Sequence, residues 1–152
     1  MRVLSAQTRP AEPGDAVLLA SVIRPADAAE IEASGFPNPL DALVRSMAAS
    51  AVAFSVELEG ELACVGGVQE MAPVGCVWLI TGAAVDRNRR AFWRESQRVM
   101  GVLLKRYRVL TNRIDARYGA SIRWARRLGA EVHPPSVLGA ERVPFHQVVW
   151  RY

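Results

Sequence analysis

Gly75-Cys76-Val77-Trp78-Leu79-Ile80-Thr81-Gly82 opens the stretch, Gly75 to Gly129, on whose reading the fold turns. Cys76 to Thr81 is apolar, too short for a helix and rich in β-branched and aromatic residues, so it predicts a strand ended by Gly82. A loop dense in arginine follows. From about Arg89 to Tyr107 the residues Phe92, Trp93, Val99, Met100, Leu103, Leu104 and Tyr107 recur at helical spacing, with Arg90, Arg94, Arg98 and Lys105 on another face. Val109 to Asp115 predicts a second strand. A turn at Arg117, Tyr118 and Gly119 leads to a helix carrying Ile122, Ala125 and Leu128, capped by Gly129. Strand, helix, strand in that order implies a parallel crossover.

The rest of the chain arranges itself around this unit. Val3 to Ala6 predicts a short first strand, and Thr8 to Asp15 a turn whose Asp15 caps a helix running to about Arg24. Further helices are expected over Asp27 to Ser34 and Asp41 to Ser50, separated by the stiff joint Phe36-Pro37-Asn38-Pro39. Val52 to Leu58 alternates as a strand, Glu59-Gly60-Glu61 turns, and Leu62 to Gln69 returns. A second turn, Met71 to Val74, leads back to Cys76 and completes an antiparallel meander. Glu131 to His133 predicts a short strand, Pro134 to Glu141 a loop, and Phe145 to Tyr152 a last strand. The expected fold class is α+β, a mixed central sheet in which the meander joins the parallel β-α-β unit, with helices on both faces and one domain over residues 1–152.

At 152 residues, 51% hydrophobic and 22% charged, the composition is that of a globular domain, and no apolar run approaches the ~20 residues of a membrane helix. The first residues lack the pattern of a secretory signal, so a reducing cytoplasm is expected, with Cys64 and Cys76 as free buried thiols and no metal site. The net charge of +4 rests on arginine, Lys105 being the sole lysine. That balance suits an anionic partner. Genome base composition is the alternative source of an arginine-rich and alanine-rich chain.

Ile114-Asp115-Ala116-Arg117-Tyr118-Gly119-Ala120-Ser121-Ile122-Arg123-Trp124, continued by Leu128-Gly129, together with the element order, resembles the GNAT acyltransferases. Trp78 to Gly82, Arg89 to Phe92, Ile122 to Trp124, His133 to Pro135 and Pro144 to His146 also resemble small GNAT-like proteins of tailed phages and prophages. Some of those are described as acetyltransferases and others as internal virion proteins. Fold and activity therefore need separate arguments.

The resemblance implies acetyl-CoA as acyl donor and a primary amine as acceptor. It places Leu79, Ile80 and Thr81 where backbone N–H groups hold the thioester oxygen, and the pyrophosphate on the start of the long helix. The family's glycine-rich loop is replaced here by Val85-Asp86-Arg87-Asn88-Arg89-Arg90-Ala91, so Arg87, Arg89 and Arg90 become the candidates for phosphate contact. Trp124 stands where the family often has a tyrosine acid, which an indole N–H cannot replace. Glu70 and Asp115 are the candidate bases and Tyr118 the nearest phenol. His133 and His146 have no supporting nucleophile or carboxylate. The alternative is a virion protein, cytoplasmic in the host or packaged, that keeps the fold without the chemistry and binds other virion proteins. Nucleic acid is not the expected partner, since neither a stacking platform nor a helix-turn-helix accompanies Arg87, Arg90, Arg94, Arg98, Lys105 and Arg106.

Overall fold

The computed structural model describes residues 5–71 and 73–152. The elements in chain order are β1 (Ala6–Pro10), α1 (Pro13–Ser21), α2 (Pro25–Ala33), α3 (Pro39–Ala49), β2 (Val52–Leu58), β3 (Glu61–Met71), β4 (Val74–Thr81), α4 (Ala84–Arg87), α5 (Arg89–Tyr107), β5 (Val109–Asp115), α6 (Gly119–Arg127), β6 (Glu131–Ser136) and β7 (Phe145–Arg151). The expected α+β class is present: among the described residues seven strands form one mixed sheet in the order β1-β2-β3-β4-β5-β7-β6. Among the described residues only β4 and β5 pair in parallel, through the crossover helix α5.

Helices cover both faces. On one, Leu19 of α1, Ile31 of α2 and Leu43 of α3 pack on Val65 and Ile80. On the other, Met100 and Leu103 of α5 and Ile122 and Ala125 of α6 pack on Val68, Val77, Leu110, Val148 and Trp150. The bounds expected for α5 and β5 are observed, because a long apolar stripe and a short apolar run leave little choice.

Other expectations are corrected. Thr8 to Pro10 is strand rather than turn, since β1 is an edge strand where the missing N–H of Pro10 costs no ladder bond. The first-strand expectation at Val3 and Leu4 lies outside the described residues, as does Ala72 of the second turn. The three early helices each begin about two residues ahead of expectation, with Pro13, Pro25 and Pro39 in the first turn, where a fixed φ and absent N–H suit the helix. The cap of α1 is Glu12 rather than Asp15, which lies in the first turn and reaches back, its Oδ2 accepting the Glu12 N–H at 2.8 Å. β6 extends beyond His133 to Ser136 because a register slip between Val132 and Pro135 lets the chain pass two prolines and still pair with β7.

Close packing in the meander makes one position testable. A Cβ on Gly67 would stand 2.5 Å from the Val52 carbonyl oxygen and 2.9 Å from Trp78 Nε1, the latter already donating to Ser50 Oγ at 2.7 Å. Backbone cannot retreat as a side chain can. Gly67→Ala is expected to cost about 2 kcal/mol in urea unfolding, whereas Gly101→Ala, with nothing within 4 Å of its Cβ, should be neutral or stabilising.

Candidate functional site

The site is set by a fork. β4 and β5 are in register at two pairs only, Gly75 with Leu110 and Cys76 with Thr111. Beyond these β4 stays with β3 as far as Thr81, and β5 stays with β7 as far as Asp115. Their C-terminal ends therefore diverge, and each presents backbone groups with no strand beside them. Gly82 N–H donates to Ala63 on β3, while Thr81 N–H donates to the opposite edge. Alternation along the strand places the Leu79 N–H on that fork edge as well and Ile80 N–H on the β3 side.

α2 lies across the fork and satisfies both strands. Asp27 Oδ2 accepts the Thr81 N–H at 2.5 Å and its hydroxyl at 2.8 Å, and Oδ1 accepts the Tyr118 hydroxyl. Three residues on, Glu30 Oε2 accepts the Asp115 N–H at 3.0 Å. A buried backbone donor needs an acceptor, and here two carboxylates on one helical face supply it. Arg24, at the start of α2, donates to Thr81 Oγ1 at 3.3 Å, pairs with Asp86 at 3.4 Å and stands 6.0 Å from the Tyr118 ring centre.

Desolvation dominates the electrostatics. Burial raises the Asp27 pKa despite its three donors, and burial with the neighbouring Asp27 and Asp115 pushes Glu30 up to about 8. The Tyr118 hydroxyl is pushed well above its ordinary value by burial and by the Asp27 charge. Glu30 keeps one carboxyl oxygen without a hydrogen-bond partner among the described residues. With its pKa lifted to about 8 it is mostly protonated at neutral pH and becomes a proton acceptor as the pH rises towards that value.

Below the fork, between the sheet and the α5–α6 layer, lies an apolar slot of about 50 Å³ lined by Phe54, Val56, Val77, Leu79, Phe92, Val99 and Trp124 among others. Phe92 and Trp124 stack with ring centres 6.1 Å apart, and Trp124 Nε1 donates to Ser96 Oγ at 3.3 Å. Glu95 also lines the slot. It is 7% exposed and held by Thr8 Oγ1 at 2.8 Å and Arg98 Nε at 2.5 Å, and Arg98 lowers its pKa. The two carboxylates are thus driven apart, Glu30 towards the acid form and Glu95 towards the anion. A second, wider groove of about 320 Å³ lies between α2, the Phe36–Pro39 joint and Arg142.

The basic loop is compact. Instead of an open anion cradle, residues 82–88 form the turn of α4, with Ala83 N–H on Val22 O, Val85 on Gly82 O, Asp86 on Ala83 O and Asn88 on Val85 O. Asn88 turns its amide back to Ala84 O and leaves the first turn of α5 without a side-chain cap. Arg87 is exposed and paired with Glu61. Arg89 and Arg90 are exposed with no ion pair among the described residues. A coenzyme A diphosphate would therefore meet α5 N–H groups and guanidinium groups rather than a backbone loop.

The sequence-chosen residues are brought together only in part. Leu79 and Thr81 stand on the fork edge, with Tyr118 at its mouth and Arg89 and Arg90 on the helix start. Glu70 is elsewhere: opposite Gly75, at the closed end of the fork, it accepts the Tyr107 hydroxyl at 3.0 Å and meets Arg106 at 3.7 Å. Asp115 is 2% exposed and committed to Arg117, whose Nη2 is 2.7 Å from Oδ2 and whose backbone N–H donates to Oδ1 at 2.8 Å. His146 Nδ1 and the His133 carbonyl oxygen are 2.7 Å apart, on the side of β5 opposite to β4. Asp27, Glu30 and Glu95 were not anticipated. The available signal was the i, i+3 spacing of Asp27 and Glu30 on the face that also holds Ile31.

No protein-family model matches the sequence, and no curated protein matches it. Solved structures match its fold over nearly the whole length. An acetyltransferase of the GNAT family from Bacillus anthracis is 13% identical at a TM-score of 0.72, covering 96% of this chain and 94% of its own. The ribosomal-protein-S18-alanine N-acetyltransferase of Escherichia coli is 12% identical at 0.68, covering 97% and 94%. An aminoglycoside acetyltransferase crystallised with coenzyme A is 12% identical at 0.70, covering 97% and 95%. At such identities the likeness establishes a shared fold, that of the GNAT acyltransferases.

Proposed function

We propose that the protein transfers an acyl group from a coenzyme A thioester to a primary amine at the β4–β5 fork. The observation that carries this reading is the fork itself: a free-edge Leu79 N–H above an apolar slot, with the uncapped, arginine-flanked start of α5 beside it. Leu79 N–H would hold the thioester oxygen, the slot would take the acyl group, and Arg89 and Arg90 with the first turn of α5 would hold the phosphates. The bound thioester supplies the activated acyl carbon, on which the C–N bond forms as the C–S bond breaks. Glu30 takes the proton that the attacking amine sheds, and the thiolate is protonated by solvent at the mouth. Tyr118, its hydroxyl committed to Asp27, positions that carboxylate.

A second reading, a binding protein that keeps the fold without the chemistry, is favoured by two observations. Asp27 occupies the Thr81 N–H, and α4 replaces an open phosphate loop. Its partners would be other proteins, including those of a virion if the phage resemblance holds.

Calorimetry with acetyl-CoA separates the two. The acyltransferase reading expects micromolar binding, weakened at least ~10-fold, about 1.4 kcal/mol, by Arg89→Glu with Arg90→Glu. Absence of binding at millimolar acetyl-CoA would leave the second reading.

A further inference from the structure

We propose that the outer face of α5 and α6 is a docking surface for the phosphate backbone of double-stranded DNA. These two helices carry nine of the 19 lysines and arginines and one of the 15 acidic residues, so the remainder of the chain is net acidic. All nine cations are exposed, whereas the single acid, Glu95, is buried and tied to Arg98 and Thr8. Arg89, Arg90, Arg94, Lys105, Arg123 and Arg126 have no ion pair or ring partner among the described residues. Genome composition can explain why the basic residues are arginine. It cannot explain why they gather on one layer and the acids avoid it.

The chemistry of the face narrows the occupant. Apart from Val102, 57% exposed, α5 and α6 offer no large exposed apolar side chain, so the face lacks both the apolar stripe of a membrane-surface helix and the central anchor of a protein interface. A single strand would need open aromatic platforms, and the half-buried Trp93 ring is covered by Arg127 at 4.3 Å. A second copy would have to meet this face with scattered exposed acids such as Glu12, Glu32 and Glu61, each at a different element, rather than with a continuous anionic row. Duplex RNA is read through 2′-hydroxyls, and Gln97 is the only exposed neutral polar side chain on α5. What remains is a row of guanidinium groups along a helix about 28 Å long, close to one duplex turn of about 34 Å. Guanidinium groups engage phosphate oxygens bidentately, and such contact needs no base reading. The absence of a stacking platform, which set nucleic acid aside on sequence alone, is no obstacle to a duplex backbone.

The test is fluorescence anisotropy of a labelled 24-base-pair duplex of arbitrary sequence at 50 and 200 mM salt, with wild type and with Arg94→Glu plus Arg126→Glu. Neither substituted residue belongs to the proposed coenzyme site, so this experiment and acetyl-CoA calorimetry fail independently. The wild type is expected to bind two unrelated duplexes alike and to weaken by about 10³-fold between the two salts if about six phosphates are engaged. The double variant, with unchanged thermal unfolding, is expected to bind at least ~10-fold more weakly at 50 mM salt, with a salt slope smaller by about 2. No binding at 50 mM salt overturns the proposal, as does a folded double variant that binds like wild type. Polyglutamate of equal charge competing as well as duplex DNA would transfer the surface to an acidic protein. A tenfold preference for duplex RNA would transfer it to RNA.

Discussion

The Glu30→Gln protein is expected to fold, to bind acetyl-CoA as the wild type does, and to transfer acyl groups about 10²–10⁴-fold more slowly. The glutamine oxygen still accepts the Asp115 N–H, so the end of β5 keeps its partner, while the capacity to take a proton is gone. In the wild type the rate should rise with pH through about 8, the value to which burial and the neighbouring carboxylates lift Glu30. The variant should lack that limb. Stability provides an independent readout. A carboxyl whose pKa is raised by folding binds more protons in the folded than in the unfolded state, so stability falls as pH rises from the ordinary 4.5 to about 8. Asp27, raised by the same burial, acts in the same direction. Urea midpoints at pH 5 and pH 8 should therefore converge in Glu30→Gln. A variant with wild-type turnover would remove Glu30 from the proton path.

Asp27→Ala is expected to be the most destabilising polar substitution in the fork. It leaves the Thr81 N–H, the Thr81 hydroxyl and the Tyr118 hydroxyl without their common acceptor at a position 6% exposed. Stranding buried donors costs about 3 kcal/mol here even after relief of the carboxylate's own desolvation. Asp27→Asn, which retains an acceptor oxygen for Thr81, should cost about 1 kcal/mol. Chemical denaturation of the two variants measures the difference, and equal losses would mean that water takes the vacated place. The same proteins bear on function. If the carboxylate blocks the fork, Asp27→Ala binds acetyl-CoA more tightly; if Leu79 alone holds the oxygen, affinity is unchanged.

The scaffold of this site was legible in the chain, and its chemistry was not. Val109 to Asp115 and Arg89 to Tyr107 announce themselves because apolar periodicity is a local property, written in consecutive residues. The fork was implied only by the family resemblance, since a strand, a helix and a parallel strand can equally pair along their whole length. Asp27 and Glu30 are different. A helix reading sends acidic residues to water, and their burial follows from backbone donors on β4 and β5 that lie 54 and 85 residues away in sequence. Glu95 reads as one more charge among arginines, and only the slot beneath Trp124 gives it meaning. Glu70 misled for the converse reason: the end of a strand is visible in sequence, but which end of the fork it faces is not.

Pro134 and Pro135 on β6 have a consequence for assembly. β6 is the outer strand of the sheet, and its free side is where another chain could extend the ladder. Of two consecutive residues without an N–H, one falls on the free side, so an incoming strand loses a donor there, and the register slip bends the edge away from it. The far rim carries Pro10 at the end of β1. Strand-by-strand growth into dimers or fibrils is thereby discouraged at both rims, which directs any higher-order contact to the helical layers.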